Sequence, residues 1–167
     1  MTLAGLRVGE ACALRWRDVD LARGRLHVAE SKTDAGVRVV DLSPDLRDEL
    51  AAAKARARTA GATDLVFPTQ RGTARDRHNV RARVLATAVS RANAARAEAR
   101  LPPIVGATNH TLRRTFASLL YEAGASPAYV MAQMGHTSSA LALEVYARKM
   151  DRTRDTGARM DALLRGA

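Results

Sequence analysis

Apolar positions change their period several times along this chain. In LRVGEACALRW they fall at Leu6, Ala13, Leu14 and Trp16, which predicts a helix over Leu6–Trp16. Arg25–Glu30 (RLHVAE) and Val37–Leu42 (VRVVDL) read as strands instead, and the turn-forming stretch SKTDAG lies between them. Ser43 followed by Pro44 predicts a capped helix running to about Thr59, with Gly61 beyond it. LVFP reads as a short extended piece and TQRGT as a loop. Arg75–Arg100 reads as one long helix rich in Ala and Arg, broken at Leu101-Pro102-Pro103. NHTLRRTFASLL follows, capped by Thr108 or Asn109, with Leu112, Phe116, Leu119 and Leu120 as its buried stripe and Gly124 at its stop. Ser126-Pro127 opens a short helix ending at Gly135, another covers roughly Ala140 to Lys149, and a basic, weakly helical tail closes the chain. There is no internal repeat, low-complexity linker or second domain. The pattern predicts one domain, mainly α with a small antiparallel β-sheet, of the α+β class.

Composition narrows the function. The 167 residues are 47% hydrophobic and 26% charged, as in a soluble globular domain large enough to bury a core. A net charge of +10 and a pI near 11.1 point to a polyanionic partner, nucleic acid before membrane. The basic side chains are 24 Arg and 3 Lys, and Arg presents a planar fork suited to phosphate oxygens. From Arg71 to Arg114, 10 Arg stand against Asp76 and Glu98, a net +8 of the total. Cys12 is the single cysteine, so no intrachain disulfide forms and a reducing cytoplasm fits. No signal-peptide pattern and no apolar run of membrane-spanning length is present, which predicts a soluble, intracellular protein. His27, His78, His110 and His136 share no paired ligand spacing, and GXXXXGK does not occur. Neither a metal nor a nucleotide cofactor is expected.

One helix start raises the chemical question. Residues three and four apart share a helix face, so His110, Arg113 and Arg114 emerge from one patch in NHTLRRTFASLL. Cations crowded this way form either a plain solvated face or a seat for an anion. Other candidates are scattered: Arg7 in GLRVGE, Lys32 in SKT, His136 in MGH and Tyr146 in VYAR. Each alone is weak. In order, however, GLRVGE, ALRWRDVDL, SKTDAGVRVV, HTLRRTFAS, MGH and VYAR resemble the catalytic domain of the tyrosine recombinases, the phage integrase family, over about Leu3 to Arg148.

That resemblance implies the integrase-type, DNA breaking–rejoining fold and assigns roles to six residues. Arg7 and Arg113 match the arginines that grip the scissile phosphate, and the HXLR pattern selects Arg113 over Arg114. His136 adds a further hydrogen bond. Tyr146 matches the nucleophile, which leaves a 3′-phosphotyrosyl link and a free 5′-hydroxyl. Lys32 matches the general acid for the departing 5′-oxygen, and His110 the acid/base handling the tyrosine proton. Glu10, one turn after Arg7, is the candidate to fix that guanidinium by an ion pair, against the plainer reading of an i,i+3 surface pair. Arg75, Arg77, Arg81, Arg83 and Arg114 are the candidates for contacts to the DNA backbone and grooves, against the plainer reading of a solvated Arg-rich helix. His27 and His78 match no motif.

The implied partners are double-stranded DNA and, at the synapse, further copies of the chain in a tetramer, with a monomer when free. The implied location is the cytoplasm, on the nucleoid. The family's separate N-terminal core-binding domain has no counterpart before GLRVGE, so residues 1–167 are expected to form an N-terminally truncated catalytic domain. Two alternatives remain open at this point: a catalytically idle module that holds DNA or a partner recombinase, and an enzyme like a type IB topoisomerase. Asp41 and Arg148 stand where the family often has Pro and His, and neither is a catalytic position.

Overall fold

The computed structural model describes residues 1–29 and 36–135. The order is α1 (Val8–Ala13), a 3-10 turn (Trp16–Asp18), β1 (Val19–Asp20), β2 (Arg25–Val28), β3 (Arg38–Asp41) and α2 (Pro44–Arg56). A helical run of three parts follows: α3 (Arg77–Asn79), a π-helical turn (Val80–Leu85) and α4 (Ala86–Glu98). The last described helices are α5 (Asn109–Glu122) and α6 (Pro127–Met134). The predicted helix over Ala140–Lys149 lies outside the described residues.

The first predicted helix is shorter than the apolar spacing implies. Arg7 is its extended N-cap, and Glu10 in the first turn reaches back to accept the Arg7 backbone N–H at 2.8 Å. Helix α1 stops at Ala13, because Leu14 and Arg15 are extended chain and Trp16 opens the 3-10 turn. Val66 donates to the Leu14 carbonyl, and Trp16 donates to that of Asp64, both in LVFP or just before it. Leu14 and Trp16 are thereby buried on either side of the Arg15–Leu65 bridge, which is why their positions mimicked a helix end.

The sheet has three strands in the order β1-β2-β3, all antiparallel, one more than the hairpin expected from sequence. Two-residue β1 was too short to show a period of its own. Register pairs Val19 with Leu26, Leu26 with Val40, and Val28 with Arg38. Leu26 and Val40 point inward and are almost fully enclosed. The same alternation turns Arg38 inward and leaves Val37 and Val39 exposed.

Helix α6 packs against β3 and α5 against α6, closing a core that includes Leu6, Leu14, Trp16, Leu26, Val40, Leu50, Phe116, Val130 and Met134. Helices α2, α5 and α6 are each capped by a hydroxyl, from Ser43, Thr108 and Ser126. Gly124 and Gly135 take positive φ just past the ends of α5 and α6, as their positions in the sequence predict.

Two differences from the sequence expectation change which faces are available. The long basic helix is not uniform: its π-helical turn brings Val80 and Leu85, five residues apart, both to the buried side. An unbroken α-helix would turn them about 140° apart. In α5 the buried residues are Arg113, Phe116 and Ala117, whereas Leu119 is exposed. Arg113 itself therefore belongs to the inward stripe. Phe116→Ala should consequently cost about 3–5 kcal/mol, while Leu119→Ala should stay within about 1 kcal/mol. Urea unfolding of the two variants measures this, and equal losses would contradict the orientation of α5.

Candidate active site

The C-terminal end of α6 organises the site. The last carbonyls of a helix have no partner within it and form the negative end of its dipole. Here Gly135 folds its own N–H back onto Met131 and Ala132. The next three carbonyls are taken by three arginines from distant parts of the chain. Arg38 Nε donates to Gln133 O at 2.8 Å, Arg113 Nη2 donates to Met134 O, and Arg7 Nη2 donates to Gly135 O at 2.9 Å.

Each arginine arrives from a different local structure. Arg7 caps α1, Arg38 faces inward from β3, and Arg113 rises from the second turn of α5. Arg113 also donates through Nη1 to Gly5 O. Gly5 has φ +57°, and a Cβ there would lie 2.4 Å from Phe116 Cδ1, so only glycine lets this carbonyl approach the base of α5.

Glu10 joins the cluster from below. Its Oε1 accepts from Arg7 Nη1 at 2.8 Å and Arg38 Nη1 at 3.2 Å. Its Oε2 accepts the Arg7 backbone N–H and Arg38 Nη2 at 2.9 Å. Burial alone would raise the carboxyl's pKa, but hydrogen bonds from Arg38 and Arg7 outweigh it and hold Glu10 at about 2. Burial first, then the charges of Arg7 and Arg38, bring Arg113 down to about 10, so it remains a cation near neutral pH.

Three guanidiniums against one carboxylate leave the cluster at +2 (three positive, one negative). The side chains differ in access: Arg38 is 5% exposed and Glu10 8%, but Arg7 is 41% exposed. Buried positive charge under one half-exposed guanidinium is an arrangement chemically suited to an anion, with Arg7 as its open edge.

This architecture sits in a chain whose residues 1–152 match the model of the Phage integrase family. The chain belongs to that family. It is 30% identical over 179 residues to the prophage integrase IntR of Escherichia coli (strain K12), across 91% of this chain and 42% of that protein. Its fold superposes on the Tn1549 transposon integrase in complex with transposon right end DNA, with a TM-score of 0.77 at 21% identity, over 98% of this chain and 56% of that one. It also superposes on the XerA recombinase, with a TM-score of 0.64 at 23% identity, over 98% and 53%. The chain thus spans about half the length of the relatives it matches.

Of the residues singled out from sequence, the structure brings Arg7, Glu10 and Arg113 together. His110 is exposed in the first turn of α5, one turn before Arg113, so the expected single surface patch of His110, Arg113 and Arg114 is split between inside and outside. Arg114 is exposed, as are Arg75, Arg77, Arg81 and Arg83 along the α3 run and its approach. Arg75 donates to Phe67 O at 3.2 Å. His27 and His78 are exposed too. Lys32, His136 and Tyr146 lie outside the described residues. Among the described residues no group of three or more His, Cys, Asp or Glu could hold a metal ion, and no helix is long and apolar enough to cross a membrane.

Sequence reasoning missed Arg38 and Gln133. Arg38 carried a signal, because alternation in VRVV with Val40 inside also turns Arg38 inside. Gln133 carried none. Its side chain accepts the Asp41 N–H at 2.9 Å and faces the Asp41 carboxylate, which also accepts from Tyr129 Oη at 2.8 Å.

The folded Glu10 carboxyl, near 2 against an ordinary 4.5, makes its stabilisation whole above about pH 4.5 and loses it as pH falls toward 2. Glu10→Gln should therefore cost about 3–5 kcal/mol at pH 6. The gap from the parent chain should narrow markedly at pH 3. Urea unfolding at both pH values tests it, and a gap independent of pH would show that Glu10 is not held ionised.

Proposed function

We propose that this chain is the catalytic part of a site-specific DNA recombinase, breaking and rejoining duplex DNA through Tyr146. The observation that carries the reading is the convergence of Arg7 and Arg113, 106 positions apart (113 minus 7), on adjacent carbonyls immediately before His136. Family membership and the DNA-bound state of the Tn1549 integrase support a phosphodiester as that anion.

In this reading the scissile phosphate rests against Arg7, with the charge of Arg113 beneath it. Both stabilise the phosphorane as its equatorial oxygens gain charge. Tyr146 attacks phosphorus, forming a 3′-phosphotyrosyl bond as the 5′-oxygen leaves. A tyrosine hydroxyl ordinarily ionises near pH 10, so the surrounding cations lower the cost of its attack. His110 handles the tyrosine proton, and His136 hydrogen-bonds the phosphate. Lys32 protonates the leaving oxygen. Support for Lys32 is its place in the sequence between β2 and β3, whose last pair, Val28–Arg38, lies at the end of the sheet where Arg38 meets Glu10. Religation reverses the attack, so no nucleotide or other cofactor is needed.

Exposed Arg75, Arg77, Arg81, Arg83 and Arg114 supply phosphate contacts along the duplex. The chain binds as a monomer and pairs into a tetramer at the synapse, on the nucleoid in the cytoplasm. Duplex affinity should fall linearly in log–log with salt, with a slope of about 0.9 per phosphate neutralised. Fluorescence anisotropy across salt concentrations checks this, and salt-independent binding would contradict it.

A pool of nicked duplexes with randomised cores tests the chemistry. The short fragment bearing the new 5′-hydroxyl diffuses away, and a covalent protein–DNA adduct accumulates on a denaturing gel. Tyr146→Phe should abolish the adduct while leaving duplex affinity within about twofold. Arg7→Ala should slow it by about 10²–10³. Binding without any adduct would leave the idle DNA-holding module as the better description.

A further inference from the structure

Arg38 has no role in the chemistry so far, yet it has the most hydrogen-bond partners of the three arginines. It donates to both oxygens of Glu10, to Gly36 O at 2.9 Å and to Gln133 O at 2.8 Å, and it is nearly enclosed. With so little exposure, and four of its five N–H donors bonded to protein groups, Arg38 has little to offer a ligand by direct contact. Its effect runs through what it holds and through its charge.

Two consequences follow from that bonding. Without Arg38, Glu10 would pair with Arg7 alone, as an i,i+3 couple with one half-exposed member, a geometry that holds long side chains loosely. With Arg38, both Glu10 oxygens are saturated, and the carboxylate becomes a fixed post for the Arg7 guanidinium. Charge changes as well. Arg7 and Glu10 alone sum to zero, whereas Arg7, Glu10 and Arg38 sum to +1, so Arg38 restores the positive field that Glu10 would otherwise cancel at the open edge.

We propose that Arg38 is a positioning residue for the phosphate-binding Arg7, acting through the shared Glu10 carboxylate. The proposal rests on the recombinase reading for its effect on cleavage, and on geometry alone for its effect on Arg7. Arg38→Lys keeps the charge but cannot reproduce a fork spanning Glu10, Gly36 and Gln133.

Arg38→Lys should slow single-turnover adduct formation by about 10- to 100-fold while changing duplex affinity by less than about threefold. In the double variant with Arg7→Ala, the rate should be no lower than in Arg7→Ala alone, within about threefold, because both changes disable one guanidinium. A general loss of folding would multiply with Arg7→Ala instead. Cleavage by Arg38→Lys at the parental rate, or multiplying effects, would overturn the proposal.

A second measurement does not depend on cleavage. In the parent chain, side-chain NMR should show separate, slowly exchanging Nη–H signals for Arg7, which Arg38→Lys should collapse into rapidly exchanging ones. If the parent chain forms no adduct, the recombinase reading falls. The positioning of Arg7 is then still decided: unchanged Arg7 signals in Arg38→Lys would refute it.

Discussion

The Glu10 carboxylate is the constraint on which the rest of the site depends. Three like charges cannot be buried together without compensation, since each desolvated ion costs several kcal/mol. Glu10 and the end of α6 supply that compensation in different ways. Glu10 gives a full negative charge shared by Arg7 and Arg38. The helix end gives three directional carbonyls, one to each arginine. Together they leave an excess of positive charge that is held in place and half covered, with Arg7 open to solvent.

This arrangement ties each element to a purpose beyond packing. Helix α1 is only Val8–Ala13, too short to be stable by itself, but its N-cap carries Arg7 and its first turn carries Glu10. The inward face of β3 carries Arg38 beside Val40, so the alternation that fills the core also delivers a cation to the site. In α5 the stripe that buries Phe116 buries Arg113 one turn earlier. Gly5 joins the two functions, since its missing side chain makes room for Phe116 while its carbonyl binds Arg113.

Much of this was legible in the sequence, and the remainder was hidden for identifiable reasons. Caps written in hydroxyls and prolines placed the starts of α2, α5 and α6 where the structure has them. The Arg7–Glu10 spacing announced its ion pair. Leu14 and Trp16 misled, because a strand-like segment paired across sequence to residues 64 and 66 buries the same side chains a helix would. The orientation of α5 was hidden by chemistry: periodicity counts an arginine as an outward residue, and Arg113 is inward only because α6 and Gly5 offer it carbonyls. The π-helical turn leaves a trace, Val80 and Leu85 at a spacing of five, that an α-helical template discards. Arg38 was overlooked although the strand pattern implied its direction.

The three hydrogen bonds that end α6 join residues separated by 95, 21 and 128 positions. The two longest of these closures carry an entropic cost that the core has to offset. The arginine cluster therefore cannot exist in a half-folded chain, whatever its total charge. Such a chain is just as basic, but the three arginines of the cluster are scattered. The geometry couples the focusing of positive charge to the completion of folding: net charge belongs to the sequence from the start, and its concentration at one half-exposed guanidinium comes last.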